Sequence, residues 1–500
     1  MEGENEGVGA LLQIIPPSLL QPTQVARWKE KGVHPTCRLL RNPISLKELV
    51  DYNFCYAILQ ENNTMIYVKP RGFINDFPVI GSRFVYFRFG EDAVHIVGPS
   101  DNAIAQTVAF LIKVETSSAE GYCYEIRGHG GTVDFRAAGS RCLAHLLNIA
   151  SSNKVTFESL LLSSEQSTAL AIRRHQLDLL LNQCWFKDGG TAFVDALQNR
   201  QGPFGSLCLK GSAPVNAHNM RDLLQVDCIN HFGAIHLGKN VVPLSAKADS
   251  VFFEEVVTDL NSGGSLNVFT RKLALNLVID EGERFPTAAV LAFFRRLAQL
   301  GHLVELKIAF CDLDASLSMP NAAVHELIRT VMANVNLQVL DLTTDGNALE
   351  WKSRQLNKIL VGIKDHETLR TLKIDVDNED IVFGPSFEHL LRLLTHKRNL
   401  VVMDDCGEAY TDEDAVDDLY FLNNFYLGST GMLDEPPAQR SWLVTTALVE
   451  GALYDFQLSA LLLSNHIDIL HELIQIATTD VEVRGHDLPF RDSVRKRQRN

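Results

Sequence analysis

Short apolar stretches alternate with longer helical patterns through the second half of the chain. The clearest stretch is LVELKIAFCDL, residues 303–313, with Leu or Ile at positions 303, 306 and 308. Neighbouring side chains of a strand point to opposite faces, so Leu306 and Ile308 are predicted to be buried and Lys307 to face outward. The pattern predicts a strand covered on one face.

Similar stretches recur along the chain, at 157–162, 174–182, 204–209, 232–237, 272–277, 337–342, 369–374 and 400–405. Their second apolar anchors, at 160, 177, 207, 235, 275, 306, 340, 372 and 403, are mostly 28 to 34 residues apart. One interval of 17 and one of 40 depart from this period. The period fits one strand and one helix per repeat.

Helical spacing appears between the strands. PTAAVLAFFRRLAQL, residues 286–300, has apolar residues at 290, 293, 294 and 297, which lie on one face of a helix. Equivalent helices are predicted at 321–335, 353–363 and 385–394. The fold class predicted by these alternating elements is α/β.

The strand units resemble the leucine-rich repeats of the ribonuclease-inhibitor-like superfamily, and the chain is similar to an uncharacterised algal-type expansion of such proteins. The resemblance covers residues 150–410 and is closest at 303–374. It implies a leucine-rich repeat solenoid, a horseshoe with parallel β-strands on the concave face and helices on the convex face. Stacked units would share one continuous core.

The regions outside the repeats have different patterns. Short alternating runs at 65–70, 83–89, 93–99 and 122–128 predict strands. Eight acids and no base occur within 404–418. The predicted organisation is an extended or partly disordered segment at 1–48, a β-rich region or cap at 49–145, the solenoid at 146–410, an acidic linker at 411–440, a helical C-terminal cap at 441–490 and a basic tail at 491–500.

The stretch FGAIHLGKN, residues 232–240, has two interpretations. It matches G-x-x-x-x-G-K of a phosphate-binding loop, but Asn240 replaces the Ser or Thr that holds magnesium. The VVP that follows discourages the helix that such a loop requires. We therefore favour a repeat strand, which predicts buried Ile235 and Leu237, an outward His236, Asn240 bonded to a neighbouring turn, and no phosphate.

Composition narrows the function classes. The net charge of −15 argues against general nucleic-acid binding. Nine scattered cysteines without a C-x-x-C pair suit reduced thiols, and the acidic N-terminus lacks a secretory leader, so we expect an intracellular, cytoplasmic protein. Glu450 and Asp455 interrupt the apolar run at 441–463, so no membrane span is expected.

The basic tail adds a nuclear alternative. Its bases fit a nuclear-import signal or a solubilising tail, and they are Arg495, Lys496, Arg497 and Arg499. No local motif predicts a catalytic residue, a metal site or a cofactor.

The outward strand residues are the predicted partner-binding site. The proposed set is His236, Asn276, Glu305, Lys307, Asp341, Thr371, Lys373 and Asp375. The charges at 307, 341, 373 and 404 alternate in sign, which predicts either a self-neutralising ladder between strands or a recognition strip.

Three functions remain open at this point. The first is non-catalytic binding or scaffolding of a macromolecule, most simply a protein, on the concave face. The second, implied by the resemblance, is a ubiquitin-ligase substrate adaptor or a GTPase regulator. The third is an enzyme with its site in the N-terminal β-rich region, which would require a pocket with perturbed His or carboxyl groups. The identity of the partner and the oligomeric state do not follow from the sequence.

Overall fold

The structure of the 500-residue chain is a computed structural model. It describes residues 11–22, 34–50, 55–69, 83–114, 123–149, 154–237, 243–257, 268–279, 284–312, 319–344, 349, 351–450 and 455–475. The chain divides into two compact units: unit 1 is Met1–Glu350 and unit 2 is Trp351–Asn500. The predicted repeat region at 146–410 is therefore shared between two units.

The strands of the described residues are β1 Leu12–Ile14, β2 Thr36–Leu39, β3 Tyr56–Leu59, β4 Met65–Val68, β5 Phe84–Phe89, β6 Asp92–Val97, β7 Tyr124–His129, β8 Val133–Asp134, β9 Lys154–Glu158, β10 Leu160–Leu162, β11 Leu177–Asn182, β12 Trp185–Phe186, β13 Gly205–Lys210, β14 Ile229–Ile235, β15 Ser250–Val256, β16 Lys272–Ile279, β17 Glu305–Asp312, β18 Val339–Asp341, β19 Thr371–Lys373 and β20 Val401–Met403.

The α-helices of the same residues are α1 Leu46–Val50, α2 Asp101–Val114, α3 Ser140–Ile149, α4 Ser164–Ala171, α5 Thr191–Gln198, α6 Ala217–Leu223, α7 Thr287–Ala298, α8 Asn321–Ala333, α9 Ser353–Gly362, α10 Glu379–Val382, α11 Glu388–His396, α12 Ala415–Gly431, α13 Pro437–Glu450 and α14 Phe456–Asn465. Residues 467–475 are also helical.

Unit 1 contains a long mixed sheet whose second part is entirely parallel. Its order is β1-β2-β3-β4-β6-β5-β7-β9-β11-β13-β14-β15-β16-β17-β18. Neighbours are antiparallel up to the β5–β7 pair, except for the parallel β2–β3 pair, and parallel from β7 onward. A second parallel sheet joins β8, β10 and β12. The predicted α/β class is confirmed, as are strands within the four alternating runs of the N-terminal region.

Four consecutive parallel strands end in the same turn. The residue after β9, β11, β13 and β14 has positive φ in each case: Ser159, Gln183, Gly211 and His236. The backbone N–H of each of these residues donates to a carbonyl at or near the end of the neighbouring strand in the sheet, at 2.8–2.9 Å. The turn satisfies backbone donors at the carboxyl ends of these strands. It also gives the four strand ends the same geometry.

Helix α7 shows how the helical pattern builds the core. Its four predicted core residues, Val290, Phe293, Phe294 and Leu297, are all fully buried. The ring of Phe294 lies 6.3 Å from that of Phe310 in β17, so the even-numbered side chains of β17 face the helix. Burial of one stripe against one sheet face explains why this helix was predictable.

Unit 2 joins a parallel β19–β20 pair to helices. The predicted acidic linker at 411–440 is wrong, because α12 occupies most of it. Val416 of α12 is buried, and the Asn423 side chain donates to the carbonyl of Leu394 at 3.1 Å. The acidic run that begins at 404 ends at Asp418, and the aromatic and apolar residues that follow allow the helix to pack.

The predicted C-terminal cap is helical as far as the structure describes it. A cluster formed by Val444, Leu448, Leu458, Leu462 and Ile469 is its apolar centre. Across the described ranges, none of the helices combines the length and apolar content needed to cross a bilayer. The basic tail at 491–500 lies outside the described residues.

Candidate partner-binding surface

In the described part of unit 1, alternate side chains of the parallel strands are buried toward the helices, and the side chains between them lie half-buried on the opposite face. Along β16 the burial alternates, with Leu273 and Leu275 buried and Ala274 and Asn276 half-buried. Because registered neighbours of adjacent strands share a face, the half-buried positions of β11 to β17 form one surface. We call this surface the open face.

An apolar row crosses the middle of the open face. Strand register places its members directly opposite one another, in the order Leu180, Cys208, Gly233, Phe252 and Ala274. All are half-buried except Gly233, which is buried. The parallel strand spacing makes the row about 19 Å long. Half-buried apolar side chains lose their remaining contact with water only if another surface covers them.

A polar row, the upstream row, lies on the amino-terminal side of the apolar row. By register it consists of Asp178, Ser206, His231, Ser250, Lys272 and Glu305. His231 Nδ1 lies 2.6 Å from the Ser250 hydroxyl, and Lys272 forms an ion pair with Glu305 at 2.5 Å. Its side chains thus offer both hydrogen-bonding groups and charges to a ligand.

A depression of about 570 Å³ lies at the amino end of the upstream row. Its lining is polar and includes His175, Gln176, Asn230 and Asp249. Asn230 Nδ2 donates to Asp249 at 3.2 Å, while the buried Asn230 Oδ1 has no hydrogen-bond partner. An acceptor left in this position is suited to a donor from a ligand.

On the carboxyl side, hydrogen bonds link side chains from the β14 turn to β17. His236 Nε2 lies 3.1 Å from one oxygen of Glu254, and the other oxygen accepts from Asn276 Nδ2 at 2.7 Å. The Cys311 thiol donates to Asn276 Oδ1 at 2.9 Å. We call these four residues the Glu254 chain. It fixes the side chains that border the apolar row, which reduces the entropy lost when a partner binds.

The predicted site residues separate into two groups. His236, Asn276, Glu305, Lys307 and Asp341 lie in unit 1, where Lys307 is opposite Asp341 in the register of β17 and β18. The other three belong to unit 2, and they are Thr371, Lys373 and Asp375.

The alternating ladder is wrong at its last step. Lys373 lies opposite Met403, and Asp404 follows the end of β20. The buried residue of β20 is Val402, one position before the predicted anchor, so the outward residues of the strand are Val401 and Met403. A shift of one residue moves every side chain to the other face.

The predicted register of FGAIHLGKN is also wrong. Phe232 and Ala234 are the buried residues of β14, whereas Ile235 and Leu237 are only half-buried. Phe232 lies opposite Leu207, so the repeat begins three positions earlier than its sequence match suggests. His236 is exposed as predicted. Asn240 and Lys239 lie outside the described residues, and the bond expected of Asn240 stays a prediction.

The central residues of the open face were not predicted from the sequence. The interval of 40 residues between the anchors at 235 and 275 contains β15, which supplies both Phe252 and Glu254. The signal was present in SVFFEEV, an alternating run in which Val251, Phe253 and Glu255 are buried.

The predicted anchor of β11, Leu177, is buried, but Leu179 is the residue that lies opposite the anchor Leu207. Leu180 was missed because of this shift of two residues.

Burial keeps the cysteine of the apolar row uncharged. It raises the pKa of Cys208 to about 11, with a further contribution from the charge of Asp178. The thiol is therefore protonated at neutral pH and acts as a small apolar group.

The enzyme alternative required a perturbed His in the N-terminal β-rich region, and His95 of β6 is such a group. Burial lowers the pKa of His95 to about 3, and the nearby Lys69 and His129 act in the same direction. Its ring lies 4.9 Å from that of Tyr86. At 5% exposure the imidazole is packed among strand side chains, which favours a structural role over contact with a substrate.

Comparison with known proteins gives no family for this chain. No protein-family model matches it, and no curated protein matches it. The nuclear-import residues, Arg495, Lys496, Arg497 and Arg499, lie outside the described residues, so that hypothesis stays a prediction.

Proposed function

We propose that this protein binds a protein partner on the open face of unit 1 and has no catalytic role there. The observation that carries the proposal is the apolar row with polar side chains on both sides. Stable interfaces have this arrangement, an apolar centre that excludes water and a polar rim that fixes orientation. The row spans five strands, which suits a macromolecular surface more than a small molecule.

Phe252 is the anchor of the proposed interface. It lies at the middle of the open face, between Gly233 and Ala274, two residues that leave room around its ring. Aromatic residues at the centre of an interface contribute most of its binding energy. The half-buried ring is already partly ordered by its neighbours, so binding costs it little entropy.

We also propose that the parallel strands are leucine-rich repeats. The common turn after β9, β11, β13 and β14 supports repetition, as does the burial of Leu306, Leu340 and Leu372 at their predicted anchors. Under this proposal the open face is the inner surface of an array, which offers a broad area for one partner.

The test compares the partner affinity of a Phe252 variant with that of a variant at an exposed apolar residue outside the open face. Phe252→Ala should reduce affinity for the partner about thirtyfold, as expected for a central aromatic residue. Ile172→Ala removes an apolar side chain that is 62% exposed after α4, and it should leave affinity unchanged. Partners identified by proximity labelling of the wild-type protein would be measured against both purified variants.

The outcome separates the alternatives. Equal affinity for wild type and Phe252→Ala would overturn the open face as the binding surface. Loss of ligase or GTPase components with Phe252→Ala, but not with Ile172→Ala, would assign the protein to the adaptor or regulator class. Turnover of a metabolite by the purified chain would contradict the non-catalytic proposal.

A further inference from the structure

Unit 2 contains a depression of about 480 Å³ that is separate from the open face. Two helix-to-strand turns and α12 form it, at 364–367, 396–399 and 426–427. Three basic side chains line it: Lys364, Lys397 and Arg398. We call it the Lys397 pocket.

Lys397 is the unusual member because its side chain is almost fully buried. Only 6% of the residue is exposed, and burial lowers the pKa of its ammonium group. Within the described chain, Lys397 Nζ makes no hydrogen bond and has no carboxylate within 4.0 Å. The ammonium group itself lines the pocket and is not fully buried, but it is partly removed from water without an ion pair to the described residues, which makes it a favourable partner for an anion.

Lys397 differs from the residues at the equivalent positions of two other turns. Three turns place a buried polar residue three positions before a buried leucine that lies just ahead of the next strand, at Asn334, His366 and Lys397. The side chain of Asn334 donates to the carbonyls of Leu297 and Thr330 and so caps helix ends. His366 accepts from the N–H of Leu369 through Nδ1. Lys397 provides a charge where the other turns use a neutral hydrogen-bonding group.

The two other bases are not neutralised by ion pairs either. The Arg398 guanidinium lies over the ring of Tyr426, 4.5 Å from its centroid, which holds it in place and leaves its N–H edge free. Lys364 is exposed at the rim. Among residues that the structure describes, neither has a carboxylate within 4.0 Å.

The pocket also contains two carboxylates, Asp365 and Glu367. Asp365 lies 3.2 Å from His396 Nε2, and Glu367 is exposed. Both favour the charged form of Lys397 at longer range, but neither contacts it. Three cations therefore face a cavity with two carboxylates, one of which already contacts a histidine.

We infer that the Lys397 pocket binds a phosphate group. A tetrahedral dianion can present an oxygen to each of the three cations, whereas a carboxylate has only two oxygens to share. The planar Arg398 can form paired hydrogen bonds with phosphate, and Lys397 can act as a point charge at the base. The phosphate can come from a small phosphorylated metabolite or from a phosphorylated side chain.

The experiment titrates the full chain with inorganic phosphate in a calorimeter. Wild type should show saturable binding, and Lys397→Met should weaken it about tenfold or more, because the substitution removes one partner of a partly desolvated charge pair. Lys364→Met should weaken it about threefold, since this side chain is exposed. Lys358→Met, the same substitution at an exposed lysine on α9 of unit 2, is the control and should not change binding.

A structural role for Lys397 predicts a different result. If its charge only stabilises the end of α11, Lys397→Met lowers the melting temperature and leaves phosphate affinity unchanged. Absence of saturable phosphate binding by wild type, or acetate binding as tight as phosphate binding, would overturn the inference. If Lys397→Met fails to fold, unchanged affinity of Lys364→Met would overturn it as well.

The same titration distinguishes the two sources of phosphate. Glycerol phosphate represents a small metabolite, and a short neutral peptide with one phosphoserine represents a modified protein. Tighter binding of either one than of inorganic phosphate, lost in Lys397→Met, identifies the source. The inference does not depend on the open face, so failure of the Phe252 test leaves it standing.

Discussion

Gly233 occupies the one position of the apolar row that has no side chain, and Cys208 of the neighbouring strand explains why. A Cβ built on Gly233 would lie 2.8 Å from Cys208 Sγ and 3.1 Å from Cys208 Cβ. The thiol therefore covers the glycine and closes the surface between Leu180 and Phe252. Two small residues in contact keep the centre of the open face continuous.

We expect Gly233→Ala to destabilise the protein by about 1–3 kcal/mol, because the added methyl group overpacks a well-filled site. Cys208→Ala removes the nearest atom, so the double variant should be more stable than the two single effects predict, by about 1 kcal/mol. Urea unfolding of the four proteins gives this coupling. Simple additivity would show that the two residues do not share the space.

At the residue scale, the sequence predicted outward side chains most securely where the strand register was correct, although His236 is exposed despite a wrong register. Lys307 and Asp341 were placed correctly because Leu306 and Leu340 flank them in unbroken repeats. Glu254 could not be predicted, since a carboxylate between two strands becomes meaningful only when Asn276 lies opposite it. Such pairs depend on register, which a single sequence specifies weakly.

At the element scale, β15 is the longest of the strands that the sequence did not predict. Its buried positions include Glu255, and a charged residue at a buried position hides the alternation. Helix α7, in contrast, has four large apolar residues on one face and was predicted with its core intact. Helix α2 was also missed, because its burial extends around most of its circumference and weakens the helical period.

Adjacent phenylalanines of β15 offer a direct test of its orientation. Phe253 is 4% exposed and faces the core, whereas Phe252 is half-buried on the open face. Phe253→Ala should cost about 3–5 kcal/mol of unfolding free energy, and Phe252→Ala about 1 kcal/mol. Denaturant unfolding measures both, and each variant controls for the other. Equal costs, or the reverse order, would contradict the register of β15.

At the scale of the whole molecule, the parallel sheet begins before the predicted repeat region and the chain divides within it. Strand β7 already pairs in parallel with β9, so the β-rich region and the repeats of unit 1 share one sheet. The boundary after Glu350 falls inside 146–410, where the sequence period continues without a break. Local periodicity describes each repeat, but it does not reveal where the chain divides into compact units.

Alkylation of the nine cysteines can be used to follow the unfolding of both units in one experiment. Cys406 of unit 2 is exposed, so alkylation of the native protein should modify it first. Burial raises the pKa of Cys142 and Cys184 in unit 1 to about 12, and both side chains are inaccessible, so they should react only after unfolding. Pulsed alkylation followed by peptide mass spectrometry gives the order. Early modification of Cys142 or Cys184 would contradict the described core.

The rate at Cys406 should itself depend on pH. A hydrogen bond to Asp405, together with the charges of Asp405 and Asp404, raises the pKa of this thiol. Because the thiolate is the reactive form, alkylation should be slow at neutral pH and accelerate as the pH rises through the elevated pKa. Asp405→Asn lowers that pKa and should speed the reaction at fixed pH, whereas Glu413→Gln, a nearby exposed substitution, should change it little. If the two variants react alike, solvent exposure and not the carboxylate of Asp405 sets the rate.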